Sequence, residues 1–149
     1  MFLPLKDINP TARRPIATYS LIIANVVVFL YELSLGSHVN AFIASFGATP
    51  YEITRLTDLV GRLTAGAEIV HQPGPPHVWL TLLTSMFMHG GFMHIIGNML
   101  YLWIFGNNIE DVLGRFWFIV FYFACGFAAS AAQVFATWGS NIPGIGASG

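Results

Sequence analysis

The segment FWFIVFYFACGFAASAAQVFATW, residues 116–138, contains no Asp, Glu, Lys or Arg. As a helix rising 1.5 Å per residue it is long enough to cross roughly 30 Å of hydrocarbon with some tilt. Working outward from it, the same absence recurs: no charged side chain occurs from 69 to 109, from 116 to 149, or from 15 to 31. The chain of 149 residues has six Lys plus Arg and seven Asp plus Glu, 9% charged, where a soluble domain carries about 25%. With 55% hydrophobic residues and a mean hydropathy of +0.65, too few charges remain to solvate a globular surface. The fold class expected is all-α, a polytopic bundle of transmembrane helices in a lipid bilayer. A net charge of −1 also excludes nucleic-acid binding, which needs clustered Lys and Arg to neutralise phosphates. The single Cys125 permits no disulfide framework.

Three spans are expected, at about 16–35, 91–106 and 116–138. Residues 1–15 form an N-terminal segment, and a long loop, 36–78, separates the first two spans. Within that loop Ile53, Leu56, Val60 and Leu63 recur at helical spacing, which predicts a surface-lying amphipathic helix. Gln72-Pro73-Gly74-Pro75-Pro76 is a loop, since consecutive prolines remove amide donors. Gly90-Gly91 interrupts the apolar run from Trp79 to Phe105. The helix proper therefore starts near Gly91, and the preceding segment enters the membrane only partway. After the third span, Gly139 to Gly149 reads as an irregular Gly-rich loop.

Orientation follows from the basic residues. Lys6, Arg13 and Arg14 precede the first span, which places the N-terminus in the cytoplasm, and Arg115 then falls on the same side. Arg55 and Arg62 lie outside. The start of span two, His89 to Asn98, and the loop around Ser148 are both brought to the outer side, where they can meet.

His89, His94 and Asn98 stand in an otherwise apolar run, and polar side chains at membrane depth are costly unless they face a partner or cavity. His94 and Asn98, four apart, share a helical face; Gly90-Gly91 frees His89 to turn toward them. Spacing alone fits hydrogen-bonding glue between helices as well as it fits a site. Two His and one Asn without carboxylate or thiolate make a thin metal set, so no metal is expected. In Gly144-Ile145-Gly146-Ala147-Ser148-Gly149 a Ser is flanked by small residues, which lets a substrate approach its hydroxyl closely.

The combination of His89-Gly-Gly-Phe-Met-His94-Ile-Ile-Gly-Asn98, Tyr101-Leu-Trp-Ile-Phe-Gly106, Asn108-Ile-Glu110-Asp-Val-Leu-Gly114 and Gly146-Ala147-Ser148-Gly149 resembles the rhomboid family of intramembrane serine proteases, closely from about Trp79 onward and loosely before it. The resemblance implies a serine endopeptidase cleaving transmembrane protein substrates near the outer face, with Ser148 as nucleophile. His94 and Asn98, with the Ser148 amide, would stabilise the oxyanion, and His89 would stand beside the same site. No cofactor is implied. The family core has six spans, of which three and the start of a fourth are expected here. Its general base is a His on a helix well after the Ser, hence beyond Gly149. The first loop lacks the Trp-Arg pair of many members, since Trp79 is followed by Leu80 and Thr81. Two alternatives stay open: a catalytically inert rhomboid-like protein binding transmembrane helices, and an unrelated transport or metal-handling membrane protein.

Overall fold

A computed structural model describes residues 14–61 and 70–146. It is helical: α1 (Ile16–Ser34), α2 (Val39–Phe46), α3 (Pro50–Arg55), α4 (Thr81–Thr84, extended by 3₁₀ turns on either side), α5 (Phe92–Leu113) and α6 (Arg115–Ala136). Among the described residues the β-structure is an isolated antiparallel bridge between Ala48 and Gly144. Helices α1 and α6 are each long and apolar enough to cross a membrane. Val78–Phe87 and α5 pass the same test only together, bent by 82° at the break between them. Apolar side chains on all three long helices point outward, Ile23 at 62%, Trp103 at 56% and Phe135 at 69% exposure. Such a surface is at home in lipid and costly in water.

Helices α1, α5 and α6 pack around Ala17, Leu21 and Phe118, with Leu102, Ile109, Tyr122 and Phe87 against them. Two glycines allow the close approach. A Cβ on Gly106 would stand 3.0 Å from Thr18 Cγ2, and one on Gly126 would collide with the Met86 side chain. Because Gly106 serves contact with α1 rather than a turn, α5 continues past it to Leu113. The helix ends at Gly114, whose φ of +77° suits glycine, and α6 begins at the next residue.

The start of α1 has no side-chain cap of its own. Glu110 of α5, 3% exposed, supplies one. Its carboxylate accepts from Ala17 N (3.0 Å), Thr18 N (2.8 Å) and Thr18 Oγ1 (2.8 Å). Amides at a helix start lack intrahelical partners, and a carboxylate there also meets the positive end of the helix dipole.

In the first loop the expected helix through Ile53 to Leu63 is cut short. Helix α3 stops at Arg55, and Leu56 takes a left-handed conformation, φ +51°. The chain then turns back on Glu52: Thr57 N donates to its carbonyl at 3.1 Å, and Leu59 N to its Oε1 at 2.9 Å. Helical spacing persists in the sequence, but burying Leu59 beside Glu52 requires the turn. Leu63 lies outside the described residues. A second small core forms where this loop meets the membrane helices, with Ala48, Leu82 and Val134 buried and Ile53 packed on them.

Candidate functional site

The break between α4 and α5 is where the polar residues gather. Met88 leaves the 3₁₀ turn in an extended conformation, which directs His89 inward, 5% exposed. Its main-chain N donates to Glu32 Oε2 of α1 at 3.2 Å, and its Nδ1 lies 3.1 Å from Phe87 O. A carbonyl only accepts, so Nδ1 carries the proton of the His89 ring. That ring stands edge-on to Phe29 at 6.4 Å and to His94 at 5.2 Å between centroids.

His94 sits in the first turn of α5, half-buried, where Gly90 N donates to its Nδ1 at 3.4 Å. With Nδ1 accepting, the neutral ring carries its hydrogen on Nε2. That nitrogen faces the loop after α6. Gly146, φ +85°, approaches the imidazole so closely that a Cβ on it would collide with Cε1 and stand 2.9 Å from Nε2. Asn98, one turn on along α5, is half-buried and lines a cavity of about 430 Å³ with His89, Asn25, Tyr101 and Tyr122.

The 140–146 loop is held at several points. Gly146 N donates to Ser85 O at 2.8 Å, Ala48 and Gly144 exchange both main-chain hydrogen bonds at 2.9 Å, and Tyr51 N donates to Ser140 O at 3.0 Å. His71 Nε2 lies 3.0 Å from Asn141 O. The first loop and the segment before α5 therefore both grip the chain just ahead of Ser148. The structure brings His89 to His94, seats Gly146 on His94 and lines one cavity with His89 and Asn98; Ser148 lies outside the described residues, two positions beyond Gly146. No cluster of three His, Cys, Asp or Glu side chains suited to a metal ion occurs among the described residues.

Sequence reasoning did not single out Glu32, nor the Glu52–His71 pair that reaches Asn141. Glu32 carried a signal, being a lone charge at the end of an apolar run. His71, in a Pro-rich loop, carried none.

A helical membrane bundle whose broken helix sets His94 against a Gly-rich loop and His89 beside Asn98 defines a class, the helical membrane proteins with polar side chains gathered at a helix break. The comparisons narrow it. The Rhomboid domain family matches residues 76–149. The chain is 31% identical over 138 residues to Rhomboid protease GluP of Bacillus subtilis, covering 91% of this chain and 22% of that protein. It is 35% identical over 72 residues to the Presenilin-associated rhomboid-like protein A, mitochondrial, of Danio rerio, covering 47% of this chain and 19% of that protein. This chain belongs to the rhomboid family. It spans about a fifth of the length of these relatives, and no solved structure matches it.

Proposed function

We propose that the protein is a rhomboid-type intramembrane serine endopeptidase that cleaves transmembrane protein substrates near the outer membrane face. The Ser148 hydroxyl attacks the scissile carbonyl, and His94 Nε2–H, Asn98 and the Ser148 amide receive the negative charge of the tetrahedral intermediate. Donors aimed at developing charge in a water-poor site are worth far more than in water. His89 supports the site by packing its ring edge-on to that of His94. The proton of Ser148 goes to a general base, which the resemblance assigns to a His on a helix after Ser148. The resemblance assigns His94 to the oxyanion rather than to that base. The observation that carries the reading is the seating of Gly146 on the His94 imidazole, two residues before the nucleophile.

The test is a fluorophosphonate probe together with cleavage of a transmembrane substrate by the full-length protein. Both are expected to occur and to vanish in Ser148→Ala, whereas the 149-residue polypeptide alone does neither. Ser148-dependent labelling of the short chain would show that the base lies within it. Labelling absent from the full-length protein would favour the inert helix-binding alternative.

The orientation belongs to the same proposal, with the N-terminus in the cytoplasm. A cysteine at Gly74 is expected to react with an impermeant thiol reagent from outside and one at Asn107 not to. The reverse pattern would put His94 on the wrong side for cleavage at the outer face.

A further inference from the structure

Asn25 lies midway along α1 and is 1% exposed, an amide buried at membrane depth where lipid offers it no donor. Its nitrogen is engaged: Nδ2 donates to Leu21 O, one turn back, at 2.8 Å, and at 3.4 Å to the Tyr122 hydroxyl of α6. Its Oδ1 has no hydrogen-bond partner among the described residues. A main-chain carbonyl only accepts, so the Leu21 contact fixes which end of the amide is nitrogen, and the orphaned atom is the oxygen.

The same side chain lines the cavity of about 430 Å³ that His89, Asn98 and Tyr122 also line. Three helices therefore bring polar side chains to one space, Asn25 from α1, Asn98 from α5 and Tyr122 from α6. The chemistry of the lining selects its occupant. A lipid tail would leave Asn25 Oδ1 unpaired, whereas water can donate to it. A resident water needs two to four polar partners and about 30 Å³ of liquid volume, and the cavity offers both. His89 adds an acceptor: its Nδ1 proton is committed to Phe87 O, and the other nitrogen of a neutral ring carries a lone pair. The Asn98 amide can donate and accept.

We propose that this cavity is a water-binding site, in which resident water donates to Asn25 Oδ1 and bridges α1 to the Asn98 amide of α5. A water-mediated contact is nearly as favourable as a direct hydrogen bond, so the bridge holds the Asn98 side chain in place. Asn25 is a positioning residue that acts through water on Asn98, and the consequence for turnover rests on the protease reading above.

Two methionines provide the test. Met86 and Met88 are each 1% exposed, but Met86 lines the polar cavity, whereas Met88 lines a separate one of about 210 Å³ among Val28, Phe42 and Phe87. In the full-length protein in lipid nanodiscs, an X-ray pulse makes hydroxyl radicals from water where it stands, and a methionine beside that water becomes the sulfoxide. Met86 is expected to oxidise faster than Met88, read by tandem mass spectrometry. In Asn25→Leu, which keeps the branching and removes both polar atoms, the Met86 rate should fall to that of Met88. Asn25→Ser should keep the faster rate, because a serine hydroxyl donates to the carbonyl four residues back and still accepts from water. Equally slow oxidation of both methionines in the unsubstituted protein would mean that a side chain from elsewhere in the protein meets Asn25 instead, and overturns the site. So does a Met86 rate that Asn25→Leu leaves unchanged. In cleavage assays Asn25→Leu should lower kcat roughly three- to tenfold, the worth of one neutral hydrogen bond, with KM little changed and Asn25→Ser near the original rate. Unchanged kcat in Asn25→Leu overturns the bridge to Asn98. The expected oxidation pattern in a protein cleaving nothing would keep the water site and remove the protease reading.

Discussion

Each end of α1 meets a buried glutamate from a different bonding position. At its start, Glu110 reaches across from α5 and three donors fill its two oxygens. Near its far end, Glu32 is equally buried, 4% exposed, but only its Oε2 is engaged, by His89 N at 3.2 Å, and Oε1 has no hydrogen-bond partner. Around Glu110 the helices are continuous and separated by glycine-sized gaps. Around Glu32 the partner helix is broken and a cavity opens beside His89 and Asn98. Charged groups at membrane depth are tolerated when satisfied, and incompletely satisfied ones collect at functional sites. One end is an anchor, and the other borders the proposed site.

Stability separates the two most strongly. Glu110→Ala leaves two main-chain amides and a hydroxyl without their acceptor, and each buried donor left unpaired costs about 1 to 3 kcal/mol. Glu32→Ala orphans one amide, already held by a longer bond, and costs about 1 kcal/mol. Unfolding in mixed micelles measures both. Equal losses would mean that Glu32 is as structural as Glu110.

Turnover divides the two ends the opposite way. Asn98→Ala is expected to lower kcat while leaving KM near its original value, because a donor to the oxyanion acts chiefly in the transition state. The loss should fall below the roughly 10²- to 10³-fold seen when a soluble protease loses such a donor, since His94 and the Ser148 amide remain. Unchanged turnover in Asn98→Ala would return that residue to the role of interhelical glue.

Much of this contrast is legible in the sequence, because lipid makes the pattern of charge simple. The charge-free windows mark the spans, Gly90-Gly91 marks the break, and His94 four before Asn98 marks a shared face. The anchor is harder to read. Glu110 lies 93 residues from Ala17, and nothing local says that a carboxylate near the end of one helix will cap the start of another. The helical spacing from Ile53 to Leu63 misleads for a related reason: Glu52 gathers the amide of Leu59 and the chain turns to deliver it. Tertiary partners of single polar groups leave no periodicity behind, so His71 and Asn141 are likewise invisible until the fold places them together.

The finest test of the contrast is a single methyl group. Gly146 and Gly139 both have left-handed φ angles, +85° and +77°, so alanine at either position carries the same conformational cost of about 1 to 2 kcal/mol. Their surroundings differ: a Cβ at Gly139 meets nothing within 4 Å, whereas one at Gly146 runs into the His94 ring. The loop cannot easily give way, being tied to Ser85 and Ala48 by main-chain hydrogen bonds and to His71 at Asn141. The ring therefore moves, and its Nε2–H with it. Gly146→Ala should lower kcat by about tenfold, the scale of a small misplacement of one donor, and lower the melting temperature only as far as Gly139→Ala does. Gly139→Ala should leave kcat alone. Equal turnover in the two variants would mean that the seating of the loop on His94 has no part in the reaction, and the placement of Ser148 beside the proposed oxyanion donors would lose its support.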